Sequence, residues 1–142
     1  AHCRISSKDE HQMVQLFEAW RTDLIVLAGY MKIIQNPSAF HCPIINVHPS
    51  LLPKYKGLHA VEQALNSGDE ISGCTVHYVN EELDGGEIIA QQEVPILPDD
   101  SVESLTKTIQ RAEYGLLPDV INRLSNESKE SVKKSIRTTL AL

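Results

Sequence analysis

The chain has 142 residues and a formal net charge of -6, with 42% hydrophobic and 23% charged residues, the profile of one soluble globular domain. No apolar stretch approaches the roughly 20 residues needed to span a membrane. The start Ala1-His2-Cys3-Arg4 lacks the apolar core of a secretory signal, so the expected compartment is cytoplasmic. An acidic balance with 5% aromatics argues against a nucleic-acid surface.

Met13, Leu16, Phe17 and Trp20 recur at helical spacing, which predicts a helix over about Lys8 to Trp20. The run Asp23 to Gly29 is continuously apolar and β-rich, as in a parallel strand covered on both faces. Asn36-Pro37-Ser38 reads as a helix start. A strand over Ile44 to His48 follows. Leu51 to Gly57 is a loop bounded by proline and glycine, then His59 to Asn66 forms a short helix ended near Gly68. Cys74 to Val79 alternates as a strand, Glu81 to Gly86 makes a turn, and Glu87 to Val94 makes the next strand. Asp100 and Glu103 form a capping-box-like pair. They open a long helix with the apolar stripe Leu105, Ile109, Ala112 and Leu116, which Pro118 is expected to end or kink. Past Asn122 the composition is Ser, Lys and Glu.

Strands and helices in alternation define the class as α/β, with an open, mostly parallel, Rossmann-like sheet of about four strands flanked by helices. Residues 1–125 are expected to form the domain and 126–142 a polar C-terminal helix or tail. The Leu24 to Ala28 strand is as apolar as a central one, yet nothing before it supplies a neighbour on its other side. An open edge of that composition invites another chain, so a homodimer is expected.

Two polar side chains stand out. Asn46 and His48 are two positions apart on one strand, so they share a face, and Pro49 ends the ladder behind them. In open parallel sheets the carboxyl ends of strands are where ligands bind. The bland alternative is a turn-capping asparagine beside a half-buried histidine. His2, His11, His41 and His77 read as structural or solvated, and the six histidines show no zinc spacing. Cys3, Cys42 and Cys74 read as reduced thiols, with neither a disulfide framework nor a metal site.

Four stretches carry a family likeness: Ala28 to Ile34, the block Asn46-Val47-His48-Pro49-Ser50-Leu51-Leu52-Pro53, Gly57-Leu58-His59, and Glu82-Leu83-Asp84-Gly85-Gly86. From about residue 8 to residue 120 the chain resembles the folate-dependent formyltransferases, and among them those that act on glycinamide ribonucleotide (GAR) in purine synthesis. The resemblance implies an enzyme that uses 10-formyltetrahydrofolate as formyl donor and needs no metal. It implies Asn46, His48 and Asp84 as catalytic residues. Asn46 would donate to the developing oxyanion. His48 would donate beside it or move protons, and Asp84 would orient the imidazole. It implies folate binding at Met31, Lys32, Ile33, Ile34, Asn80, Glu81, Glu82 and Leu83, with Lys32 standing where the family usually shows arginine, a weaker carboxylate partner.

Pro49, Gln110 and Glu113 match positions at the nucleotide substrate. Full-length members begin with further βα units whose first turn, Gly-Asn-Gly-Ser-Asn-like, holds the substrate phosphate. None of the seven glycines here, at 29, 57, 68, 73, 85, 86 and 115, forms such a loop. The chain is then either a piece of a conventional formyltransferase or a form that kept only the folate half. In the second case the acceptor would be water, giving a hydrolase, or the folate's own N5, giving a cyclising enzyme. A non-catalytic folate-binding protein is a further alternative.

Overall fold

The computed structural model describes residues 10–30 and 32–140. His2, Cys3 and Met31 lie outside the described residues, and so do the expectations that fall on them.

The elements are α1 (Glu10–Ala19), β1 (Ile25–Ala28), β2 (Ile44–His48), α2 (Ala60–Ser67), β3 (Ile71–Tyr78), β4 (Ile88–Pro95) and α3 (Val102–Leu140). Asn36-Pro37-Ser38 opens only a single 3₁₀ turn, Pro37–Ala39. The Glu10 carboxylate accepts from the Gln35 and Asn36 N–H groups and ties that turn to the start of α1. Gly68 closes α2 with φ +78°, a conformation that only glycine adopts without cost.

The sheet runs β1-β2-β3-β4. β1 pairs parallel with β2, while β2 with β3 and β3 with β4 are antiparallel. The α/β class, the four strands and the flanking helices are as expected, but the sheet is mixed rather than mostly parallel. β3 and β4 are joined by the nine residues 79–87, too few for a crossover, so they make a hairpin. The α2 connection returns the chain antiparallel to β2 as well. A helix between two strands therefore does not by itself make a parallel crossover.

Alternation along β2 feeds two cores. Ile45 and Val47 join Cys74, Val76 and Val94 against Leu105, Ile109 and Val120 of α3. Ile44 joins Met13, Ile25, Ile34 and Phe40 on the other face. Each such fully buried aliphatic side chain contributes on the order of 1.5–3 kcal/mol. Asn46 and His48 share the Ile44 face, beyond the end of that second core.

Two details of α3 differ from expectation. Its cap is one residue on: the Ser104 N–H donates to Ser101 Oγ at 3.1 Å and the Ser101 N–H donates to Ser104 Oγ at 2.9 Å. Asp100 accepts instead from the Ser104 hydroxyl and the Leu97 N–H, which hold its carboxyl below the usual range. Glu103 pairs with Lys107 at the surface. Nor does Pro118 end the helix, which runs on to Leu140. Pro118 and Tyr114, whose carbonyl loses its partner, are both exposed, so water can satisfy that group.

Among the described residues β1 pairs on one side only, with Ala28 exposed and Val26 and Leu27 half-buried. No described helix is long and apolar enough to cross a membrane.

Candidate active site

A cavity of about 520 Å³ opens over the carboxyl ends of β1 and β2, the parallel pair. Asn46 and His48 reach it from β2. Pro49 cannot donate to a ladder, so the chain leaves the sheet there and runs through a loop to Gly57.

That loop returns to grip the site. The His48 ring donates from Nε2 to the Tyr55 carbonyl at 2.8 Å. The Gly57 N–H donates to Asp84 Oδ2 at 2.7 Å, from a backbone at φ +78°. Lys56 pairs with Glu82 at 2.8 Å, joining the loop to the turn that carries Asp84. The turn is narrow: the Gly85 N–H donates to the Glu82 carbonyl at 3.1 Å, and Asp84 takes φ +48°. Aspartate is one of the few side chains that tolerates that region. Gly86 passes so close to the Tyr78 carbonyl that any Cβ would collide with it.

His48 Nδ1 lies 3.5 Å from Asp84 Oδ2, with the two side chains only 6% and 8% exposed. Both ring nitrogens thus face acceptors, Tyr55 on one side and Asp84 on the other.

One member of this group was not expected. His77, read from the sequence as structural or solvated, stands directly opposite Asn46 in the β2–β3 register. Its Nε2 is 3.3 Å from Asn46 Nδ2 and 3.6 Å from Asp84 Oδ1, and its Nδ1 is 2.8 Å from the Tyr78 carbonyl. Burial pushes this imidazole below the ordinary histidine range, against the smaller opposing pull of the Tyr78 carbonyl and the Asp84 carboxylate. The available signal was the alternation of Thr75 and His77 against Val76. The partner strand that gives that face a neighbour was not legible.

The remaining expected residues divide by setting. Lys32 and Ile33 line the cavity from an exposed segment, whereas Ile34 also lines it but is buried in the second core. Asn80, Glu81, Glu82 and Leu83 line the cavity too, and the Asn80 side chain accepts from the Glu82 N–H at 3.0 Å. Pro49, Gln110 and Glu113 are also among its lining residues. Burial raises the Glu113 carboxyl above the usual carboxylate range. Leu58 and His59 line the mouth as well, and no role had been expected of them.

Elsewhere, the His41 ring donates from Nε2 to the Thr22 carbonyl at 2.8 Å as a surface tie, and His11 pairs with Gln15. Cys42 and Cys74 are free thiols, and burial pushes Cys74 up to about 11, which leaves it unreactive. Among the described residues no His, Cys, Asp and Glu group could hold a metal ion.

An imidazole held by a carboxylate, an amide beside it and an apolar-rimmed cavity above suit attack on a carbonyl-type carbon. The family model described as formyl transferase matches residues 2–121, and the chain belongs to that family. Two bacterial relatives share one name. The phosphoribosylglycinamide formyltransferase of Haemophilus influenzae is 52% identical over 101 residues, 70% of this chain and 48% of that protein. The Escherichia coli enzyme of the same name is 41% identical over 115 residues, 80% of this chain and 54% of that protein. The solved phosphoribosylglycinamide formyltransferase of Anaplasma phagocytophilum superposes with a TM-score of 0.81 at 42% identity, over 84% of this chain and 59% of that one. The chain spans about half the length of the bacterial relatives it matches.

Proposed function

We propose that this chain provides the folate and formyl-transfer half of a GAR formyltransferase, passing a formyl group from 10-formyltetrahydrofolate to the amine of GAR. The observation that carries the reading is the buried contact of His48 with Asp84, with the Asn46 amide linked to the same carboxylate through His77.

In this reading the amine attacks the formyl carbon, and the carbonyl electron pair moves onto oxygen. Asn46 N–H and the His48 ring donate to that oxyanion. On collapse the bond to folate N10 breaks, N10 gains a proton and the amine loses one, so no net proton is consumed. His48 and Asp84 carry that proton in this reading. The His48–Asp84 contact is the longer of the two made by the ring, so it is the one a substrate atom can enter. Exposed Ile33, Leu58 and Leu83 supply apolar surface for the pterin, with Lys32 near a carboxylate of the donor. Gln110 and Glu113 are proposed to meet the nucleotide.

The test is loss of 10-formyltetrahydrofolate with and without GAR. Loss that requires GAR supports transfer. Loss without GAR points to hydrolysis, or to cyclisation if the near-ultraviolet absorbance of 5,10-methenyltetrahydrofolate appears. Binding of the folate without turnover would leave a non-catalytic folate protein. The same reading takes 1–125 as the domain with 126–142 as a polar extension, and a cytoplasmic site of action. The open β1 edge is proposed to pair with a second copy; a monomeric solution mass would refute that.

A further inference from the structure

We propose that His77 is a positioning residue: as a neutral ring protonated on Nδ1, it accepts from one N–H of the Asn46 amide and leaves the other N–H aimed into the cavity. The inference rests on the formyl-transfer reading above for its kinetic consequence, but not for its structural content.

The tautomer follows from the neighbours. A backbone carbonyl can only accept, so the 2.8 Å contact between Nδ1 and Tyr78 O puts a proton on Nδ1. Nε2 is then a lone-pair acceptor in the neutral ring, and the Asn46 amide nitrogen stands 3.3 Å from it. An amide NH₂ has two donors. One is consumed by His77, and the fixed plane of the amide then dictates where the second points. A second proton on His77 would place N–H against N–H. The ring would turn its bond to Asp84 Oδ1, 3.6 Å away, and the amide would be released or would flip to present its oxygen. Either way the donor for the oxyanion leaves its place.

Three charged or titratable groups face His77. Asp84 favours a second proton, while His48 and Lys56 disfavour it. Burial of the ring, whose side chain is 3% exposed, sides with the latter two. His77 touches no reacting atom in this scheme; it acts through Asn46.

Two arms test this on the full chain. Long-range proton–nitrogen spectra of histidine-labelled protein report tautomers directly. His77 should show the Nδ1–H form at neutral pH. In Asn46→Asp its titration midpoint should rise by about one unit or more, because a carboxylate would then face Nε2. An Nε2–H tautomer, or a midpoint that ignores Asn46→Asp, overturns the proposal whatever the protein's activity. In the kinetic arm, His77→Leu should lower kcat by roughly 10- to 100-fold, the scale of losing one oriented donor, with the folate KM within about twofold. His77→Gln, which can accept but never charges, should recover most of kcat and flatten the acid limb of its pH profile. Wild-type kcat in His77→Leu, or parallel loss of folate affinity and kcat in both variants, overturns the positioning role. Inactivity of the unsubstituted chain with every acceptor would instead count against the formyl-transfer reading, leaving the spectra to decide on His77.

Discussion

The two walls of the cavity are built differently. One wall is made of the half-buried Asn46 with His48, His77 and Asp84, and each of these side chains is held by another or by backbone from Tyr55, Gly57 or Tyr78. The other wall offers Ile33, Leu58 and Leu83, which are 59%, 59% and 50% exposed. The difference teaches where preorganisation is spent. Groups that stabilise developing charge must be in place before substrate arrives, because reorienting dipoles during the reaction costs rate. Groups that only cover a flat apolar ring need no such restraint, and their burial stabilises the complex when it forms.

Substitutions on the two walls should therefore separate rate from affinity. His48→Ala should lower kcat by about 10³-fold, within the range for a lost acid–base group, while binding of a reduced folate followed by fluorescence is retained. Unchanged turnover would remove His48 from the chemistry. Asn46→Ala should cost on the order of 100-fold in kcat, again with little change in KM. Gly86→Ala probes how the turn is held. A methyl driven against the Tyr78 carbonyl should destabilise the fold by about 1–3 kcal/mol in urea titrations and lower kcat by displacing Asp84. On the other wall, Ile33→Ser should raise the folate KM by about tenfold with kcat within about twofold. A fall in kcat of the same size would show that the walls are not separable.

The smallest effects are expected in the pH dependence of stability, where two titratable groups that line the cavity, His77 and Glu113, have opposite signs. Unfolded, the His77 imidazole takes its proton near 6.5, and folded it resists until lower pH. The unfolded state thus binds more protons in that window, and this stabilisation, present above 6.5, is lost as pH falls through it. His77→Gln should flatten melting temperature against pH there. Glu113 runs the other way. Its folded pKa lies above the ordinary 4.5, so its contribution is complete below that value and is lost as pH rises through the folded one. Glu113→Gln should accordingly raise the melting temperature at neutral pH and leave it unchanged near pH 4.

Much of the site was legible because its parts are local. Period-two alternation alone puts Asn46 and His48 on one face, and Pro49 alone ends the strand behind them. Asp84 came from a family likeness rather than from its own spacing, since Asp-Gly-Gly is an ordinary turn. His77 was missed although its own strand was recognised, because its role exists only through the strand opposite. The capping box was placed one residue early for a related reason. Asp100 and Glu103 satisfy the pattern, but the backbone enters the helix at Val102, which makes Ser101 the cap.

The order of side chains by itself determined where the main strands and helices form and that Asn46 and His48 share a face, because those depend on backbone periods and on neighbours within a few positions. The direction of β3, the meeting of His77 with Asn46, and the distance between His48 and Asp84 were decided by the tertiary structure alone. Those two side-chain contacts join residues 31 and 36 positions apart, and only strand pairing, with a tight glycine turn against Tyr78, brings such residues together.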